Sequence, residues 1–372
     1  MSPATRPADR SVLVVGAGLG GLFCARELAA RGVSTTLLDR KGSVGDAIHT
    51  TGIFVRRSLE EFALPREALG PPIRRVALLS PARRAVFLES ERDEFRVGRM
   101  RPLYESLLAD CITRGVRWLP GARYLGSEIA EGGSRAFLSR EGVIHSVRAA
   151  FIVGADGAGS RVARDLSLSR NRRWIVGAEE VLADAPATGG PRFLCVLDPR
   201  LAPGYIAWMV YDGEETHLGV GGYPGRFDPA RALQAFRSEV GRLVDLTGAR
   251  VLERRGGRIP VGGLLPRVAC ARGLLVGDSA GGPSPLTAGG FDAALRLARR
   301  AAQVVEGHLR GDRTALARYP GRSLERPQLW PHVTRWLIAA ARSPLLLEAA
   351  CGLLRVAPFK AFAERVFFGK SN

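Results

Sequence analysis

Lysine is nearly missing from this 372-residue chain. Lys41, Lys360 and Lys370 are the only three, although Lys and Arg together number 54. The formal net charge of +18 is therefore almost wholly arginine. The arginines are spread along the chain beside much Ala and Gly, as in a GC-rich coding sequence, with no run of five basic residues. Phosphate-backbone recognition needs a clustered basic face, and no nucleic-acid motif is present, so a dedicated nucleic-acid binder is not expected. Cysteine is scarce too. Cys24, Cys111, Cys195, Cys270 and Cys351 are odd in number and widely spaced, with no CxxC. That pattern argues against structural disulfides and a cysteine metal site, and suits a reducing cytoplasm. The five histidines, His49, His145, His217, His308 and His332, are equally scattered, so no metal site is expected. No apolar run reaches the roughly 18 residues a membrane span needs. The opening MSPATRPADR lacks the apolar core of a secretory signal. The expected location is cytoplasmic.

What is present begins at "VVGAGLGGLFCARELAARGVSTTLLDR", Val14–Arg40. Ser11–Val15 reads as a buried parallel strand. Gly16, Gly18 and Gly21 then fall in G-x-G-x-x-G register, Leu22–Arg31 has helical spacing, and Ser34–Leu38 is a second strand. Asp39 ends that strand, 18 positions after Gly21. Gly16 permits the tight turn, Gly18 lets backbone approach a pyrophosphate, and Gly21 lets helix and strand pack closely. The amides at the helix start face a negative ligand, and Asp39 can accept from ribose hydroxyls. Strand, helix, second strand and acid together predict dinucleotide binding.

Two later stretches repeat the strand-then-glycine pattern. "FIVGADGAGSRVAR", Phe151–Arg164, carries Gly154, Asp156 and Gly157, with Ser160 and Arg161 opening a helix. "GLLVGDSAGGPSPLTAGGFDAAL", Gly273–Leu295, carries Gly277 and Asp278, a Gly/Pro/Ser loop, and a helix from about Gly290. A simple NAD dehydrogenase has no use for a further phosphate-facing loop so far along. These three motifs, in this order over residues 11–310, resemble the FAD-dependent oxidoreductases of the aromatic-hydroxylase (group A flavin monooxygenase) superfamily, which also holds the geranylgeranyl reductases. The resemblance implies FAD held by Gly16, Gly18, Gly20, Gly21, Asp39 and Arg40, and by Gly277, Asp278, Pro285, Gly289 and Gly290. It also implies that Arg99 flanks the flavin and that Asp156 lies near the cofactor. Asp156 read on its own can equally cap the helix near Ser160, and Arg99 can be an ordinary surface arginine. Cys24 reads as packing.

Within the superfamily the chain is most similar to the geranylgeranyl-reductase branch. Gly277-Asp278-Ser279-Ala280-Gly281 lacks the histidine that aromatic hydroxylases usually carry after the alanine. "PLTAGGFDAAL" is similar to the reductases' loop, and "GYIAWMVYDGEETHLGVGG", Gly204–Gly222, to their substrate strand. By that resemblance Trp208 matches the strand's tryptophan, and Trp208, Tyr205 and Tyr211 are candidates to line the substrate pocket. Three departures stand out: Ile206 occupies the family's tyrosine position, Tyr211 stands where the family has a proline, and Thr51-Gly52 stands where reductases often have a cysteine-glycine pair near the flavin. His49, in the same loop, is a weak catalytic candidate, a backbone-bonded loop histidine being the commoner outcome. His217 reads as structural.

The expected fold class is α/β with an α+β insert: a Rossmann-like FAD-binding domain, a mixed β-sheet substrate domain and a C-terminal helical segment. The FAD-binding domain is expected at 1–70, 97–173 and 263–310, the substrate domain at 71–96 and 174–262, and the helical region at 311–372. In the tail, Trp330, Trp336, Leu345, Phe359, Phe362 and Phe367 alternate with Arg335, Arg355, Lys360 and Arg365 between Pro331, Pro344 and Pro358. Two readings stay open: a helical cover on the substrate domain, or a peripheral membrane surface. The resemblance implies an oxidoreductase acting by hydride transfer at flavin N5 on carbon-carbon bonds of a hydrophobic, isoprenoid or polyketide-like substrate. The alternative is a monooxygenase using NAD(P)H and O2 through a flavin C4a-hydroperoxide. With no second G-x-G-x-x-G, the electron donor is expected to be NAD(P)H binding transiently, or another carrier.

Overall fold

The computed structural model describes residues 11–187, 189–321 and 343–368. The tail calls on Trp330, Pro331, Arg335 and Trp336 lie outside them. The chain divides into two compact units. Unit 1 takes the described residues up to Ala47, Met100–Arg173, and Pro260 onward to residue 321. Unit 2 takes Ile48–Arg99, Trp174–Ile259 and the described residues after 342. Residues 48–70 were expected with the cofactor half and belong to unit 2. The reason is pairing: Ile53–Val55 and Leu69–Ile73 both hydrogen-bond to Phe95–Gly98 in one three-stranded sheet.

Unit 1 is built on a six-stranded sheet in the order Ala269–Cys270, Gly273–Leu275, Phe151–Gly154, Val12–Val15, Thr35–Leu38 and Arg117–Leu119. Val12–Val15 is wholly buried and parallel to both neighbours. A strand covered on both faces must be apolar throughout, as its VLVV sequence is. Helices Leu19–Ala29, Met100–Thr113 and Phe291–Leu309 belong to the same unit. Phe291–Leu309 buries Leu295, Leu297, Ala298, Ala301, Ala302, Val304 and Val305, a stripe at helical spacing. The expected hairpin at 136–147 is there, as Gly133–Arg140 and Val143–Ala149, but it is two strands of a three-stranded sheet completed by Arg123–Ala130.

Unit 2 holds a seven-stranded sheet: Arg250–Pro260, Trp174–Ala183, Thr216–Gly222, Ala207–Tyr211, Arg192–Val196, Arg75–Leu79 and Ala85–Glu89. Side chains alternate between its faces. On one face Met209, Leu218, Val220 and Leu194 pack with Phe236 and Val240 of the helix Pro229–Val240. That helix starts where it does because Asp228 accepts from the amides of Ala230 and Arg231, with Pro229 next in line. On the other face Val76, Leu78, Cys195, Trp208 and Val210 pack with Ala363, Phe367 and Phe368 of the last helix, Ala357–Phe368. Edge-on ring contacts of Phe367 on Phe193, and a tilted contact of Phe368 on Phe95, fix that helix. The described tail thus packs on the sheet of unit 2.

Candidate functional site

All three glycine motifs lie at the carboxyl ends of adjacent parallel strands in unit 1. Strand order reverses at Val12–Val15, with Thr35–Leu38 on one side and Phe151–Gly154 on the other. Such a reversal opens the crevice in which open α/β sheets bind ligands. Gly16 has φ +104° and a Cβ there would overlap the Ala155 carbonyl oxygen, so the turn accepts only glycine. A Cβ on Gly21 would overlap the Gly16 carbonyl, whereas one on Gly18 would meet open space. The space beside Gly18 is where backbone can meet a ligand.

The helix after this turn has no side-chain cap and no acid in its first turn. The helix Phe291–Leu309, which follows the third motif, likewise starts at Gly290 without a side-chain cap. Gly20 brings the two together: a Cβ there would sit 3.7 Å from both Ala294 Cβ and Gly277 Cα. Two helix starts without side-chain caps therefore converge, and helix N-termini with the dipole behind them favour an anion such as a pyrophosphate. Asp39, 9% exposed, accepts from Ala17 N at 2.8 Å and Lys41 N at 2.9 Å, fixing its carboxylate beside the first turn. Arg40 is exposed next to it. Pro285 is buried, and Gly289 donates its N–H to Thr287 Oγ1 at 3.3 Å and accepts from Ser284 N at 3.0 Å, closing the loop before Gly290.

Asp278 is the chemically telling residue. Among the described residues none hydrogen-bonds its carboxylate, and burial pushes its pKa up to about 6. Its backbone oxygen is held by Asn171 Nδ2 at 2.8 Å, and Ser279 bridges to Gly154 O at 2.6 Å, so the side chain is fixed without being satisfied. A carboxylate that can accept from a hydroxyl, beside two helix N-termini that can donate to a phosphate, is the set of groups that FAD would complete. The protonation sign follows. The carboxyl titrates near 3.8 when unfolded and near 6 when folded, so ionising it opposes folding. Apoprotein stability should therefore fall as pH rises from about 4 to about 6 and level off above, by at most about 3 kcal/mol. Asp278→Asn should raise the apoprotein's Tm at pH 8 while weakening FAD binding, measured by thermal melts and flavin fluorescence titration.

Asp156 spends its carboxylate on Ser160 Oγ at 2.6 Å, Arg161 N at 2.6 Å and Val162 N at 3.1 Å. Of its two readings, helix capping accounts for every one of these contacts. Burial raises its pKa against those bonds. Arg99 falls in unit 2, where its guanidinium meets Asp212 at 2.6 Å, Glu214 at 2.6 Å and Glu215 at 3.2 Å. A cofactor contact would have to share a group already held by three carboxylates.

In unit 2, Trp208 stands opposite Gly219 of the neighbouring strand, and a Cβ on Gly219 would overlap the indole. A glycine inside a strand commonly marks such a close approach. Tyr205 meets Trp208 edge-on, centroids 6.3 Å apart, and lies over Gly221. Tyr211 does not join them. Three residues on from Trp208, it points to the other face of the sheet, packs with the Phe236 cluster, and donates its hydroxyl to Gly213 O at 3.2 Å. The three aromatics were expected to line one pocket; alternation along the strand separates them.

Sequence reading missed the polar cluster under Trp208. Glu179 is 4% exposed and accepts from Trp208 Nε1 at 3.3 Å and from the Thr51 hydroxyl. His217, fully buried, places Nδ1 3.3 Å from Glu179 and Nε2 3.5 Å from Glu215. Arg255 lies 3.6 Å from Glu179 and donates to Thr50 O and Thr51 O at 2.9 and 3.2 Å. Burial opposes charge on His217, but its hydrogen bonds to Glu179 and Glu215 outweigh burial and raise its pKa above 6.5. The available signal was Glu179-Glu180 inside an otherwise apolar strand, where one of two adjacent acids must face inward. His49 is exposed and bonded through Nδ1 to Gly256 O at 3.0 Å, the commoner outcome for a loop histidine.

Comparisons with known proteins agree on what kind of chain this is. Residues 11–91 match the FAD dependent oxidoreductase family. Digeranylgeranylglycerophospholipid reductase 1 of Methanopyrus kandleri is 30% identical over 84% of this chain and 85% of its own length. The digeranylgeranylglycerophospholipid reductase of Methanothrix thermoacetophila is 27% identical over 79% of this chain and 77% of its own. A geranylgeranyl bacteriochlorophyll reductase-like structure from Thermoplasma acidophilum shares the fold, with TM-score 0.82 at 22% identity over 91% of this chain and 89% of that one. Aklavinone-11 hydroxylase in complex with FAD and aklavinone shares it at TM-score 0.63 and 20% identity, over 81% and 63% of the two chains. The chain uses FAD, is an oxidoreductase, and belongs to the digeranylgeranylglycerophospholipid reductase family.

Proposed function

We propose that this chain reduces carbon-carbon double bonds of a long isoprenoid chain, most simply one carried by a lipid. Its likeness to the Methanopyrus kandleri reductase over most of both chains carries the reading. Bound FAD would supply hydride chemistry at N5. The chain's own residues supply the rest. The uncapped helix starts at Leu19 and Phe291 and the fixed acids Asp39 and Asp278 hold the cofactor. The apolar face of unit 2 supports a hydrocarbon: Trp208 and Tyr205 continue into Ile53, Val55, Phe193 and Leu354. An isoprenoid offers no charge to grip, so its affinity must come from such area. The electron donor in this reading is NAD(P)H or a reduced protein carrier. The test is to reduce the FAD-loaded protein anaerobically, with NADH, NADPH or dithionite in separate runs, and add a digeranylgeranyl phospholipid. Mass spectrometry should show one H2 gained per double bond. A product carrying oxygen from O2 would favour the hydroxylase reading, which the shared fold of aklavinone-11 hydroxylase supports.

A lipid substrate requires access to lipid. No helix among the described residues is long and apolar enough to cross a membrane. In our reading the protein works from the cytoplasmic face of the membrane. Helices Pro344–Leu353 and Ala357–Phe368 expose Leu345 (80%), Leu346 (67%), Phe359 and Phe362 beside Arg355, Lys360 and Arg365. Apolar residues among cations suit an anionic interface. Flotation should find the protein on phosphatidylserine vesicles and not on phosphatidylcholine ones. Leu345→Glu with Leu346→Glu should cut binding at least about tenfold, since two buried leucines contribute about 1.5–3 kcal/mol each.

A further inference from the structure

Among the described residues of unit 1, a second acceptor near Asp278 has no donor: the buried Oδ1 of Asn171. Asn171 stands on the extended segment after the helix Arg161–Asp165. That segment is pinned on both sides of it. Ser169 N donates to Arg267 O at 2.9 Å, and Val261 N donates to Arg173 O at 3.0 Å. The side chain reaches the turns that follow two neighbouring strands of the six-stranded sheet. Nδ2 donates to Ala158 O, in the second motif, at 3.1 Å and to Asp278 O, in the third, at 2.8 Å. Both partners are carbonyl oxygens, so the amide can stand only with its nitrogen toward them. Both amide protons are then spent, and Oδ1 is held where it is. Turning the amide to relieve Oδ1 would leave two carbonyls without their donor. A buried acceptor kept unpaired in this way is costly, and such groups are rare in folded proteins.

The chemistry of a fitting partner follows from the neighbours. Asn171 Oδ1 and the Asp278 carboxylate are both acceptors, joined through one hydrogen bond from the same amide. A phosphate brings only acceptors and would be repelled. An apolar group would leave both unpaired. Adjacent hydroxyls can donate to both. FAD carries adjacent hydroxyls in two places, the adenosine ribose and the ribityl chain. Asp39 holds the position suited to the ribose, and strand order puts Asp39 and Asp278 on opposite sides of Val12–Val15. We propose that Asn171 is a further cofactor-binding residue: its Nδ2 clasps the second and third motif turns together, and its Oδ1 accepts from a ribityl hydroxyl of FAD. Ser279 Oγ, 2.6 Å from both Gly154 O and Val276 O, holds the strand ends beneath the same two turns. The clasp therefore sets the spacing of the turns, and the free acceptor reads what lies between them.

The test is a binding cycle on apoprotein, read by flavin fluorescence titration. Wild type, Asn171→Leu and Asn171→Ala are each titrated with FAD and with its 2′-, 3′- and 4′-deoxyribityl analogues. Leucine keeps the volume of asparagine and can neither donate nor accept; alanine serves if the leucine variant does not fold, which thermal melts of the apoproteins decide. The variants should bind FAD at least about tenfold more weakly, the order expected when a buried hydrogen bond and its partner's pairing are both lost. Wild type should bind one of the deoxy analogues about fivefold or more below FAD, and the variants should bind that analogue as well as they bind FAD. A purely structural asparagine would instead weaken all four flavins by one common factor, and that result would overturn the proposal. Unchanged FAD affinity in a folded variant would overturn it too. A wild type that binds none of the four would remove the assignment of the three turns to FAD, and the role of Asn171 with it.

Discussion

Glu179→Ala should destabilise unit 2 by about 3–5 kcal/mol, the usual consequence of removing one partner from a buried ion pair. The carboxylate receives Trp208 Nε1, the Thr51 hydroxyl, His217 and Arg255 at once. Without it two buried cations keep only Glu215 and Glu253 as counterions. The loss should depend on pH. His217 has a raised folded pKa, so its contribution to stability is complete below pH 6.5 and disappears as pH climbs through the folded value. Urea melts of wild type and Glu179→Ala should therefore differ most at acidic pH. Glu179→Gln keeps the shape and one acceptor oxygen, so its cost should be smaller. Equal stability of Glu179→Ala and wild type at pH 6 would show that the cluster is not a coupled unit.

Gly16→Ala should abolish flavin retention, with FAD affinity reduced at least about 100-fold, or about 2.7 kcal/mol. The backbone at φ +104° costs an L-residue about 1–3 kcal/mol by itself. The added methyl would also displace the Ala155 carbonyl, and Ala155 begins the second motif. One substitution thereby misaligns two of the three glycine turns proposed to hold the cofactor. Purified Gly16→Ala protein should be colourless and should fail to quench flavin fluorescence. Gly18→Ala makes the contrast: a Cβ there meets only open space within the protein, so any loss of affinity reports on the ligand side of the turn. A yellow Gly16→Ala protein would place the cofactor elsewhere.

The nucleotide half was legible in the sequence because its constraints are local. A turn accepting only glycine, a strand buried on both faces and an acid at a strand end each leave a mark within about 30 residues. Helix Leu19–Ala29 and strands Val12–Val15 and Thr35–Leu38 lie within one to three residues of the expected positions. Unit 2 was less legible. Its strand Arg250–Pro260 reads ERRGGR in the middle, without the alternation that signals a half-buried strand. Residues 48–70 join unit 2 through pairings with Phe95–Gly98, which no local pattern encodes. The Glu179 cluster gathers residues 51, 179, 208, 217 and 255, whose spacing follows from sheet order alone. Tyr211 and Trp208 were expected to line one pocket, but an interval of three in a strand puts them on opposite faces.

Strand Thr216–Gly222 has one more consequence. Gly219 and Gly221 form a bare shelf against which an indole and a phenol pack closely. The calibre of the aromatic seat is thus set by positions that have no side chain of their own. A single methyl gained at 219 would lift Trp208 and narrow the seat without altering any acid, base or cofactor contact in unit 1. On the proposed reading, which hydrocarbons fit and what is done to them are inherited on different parts of the chain.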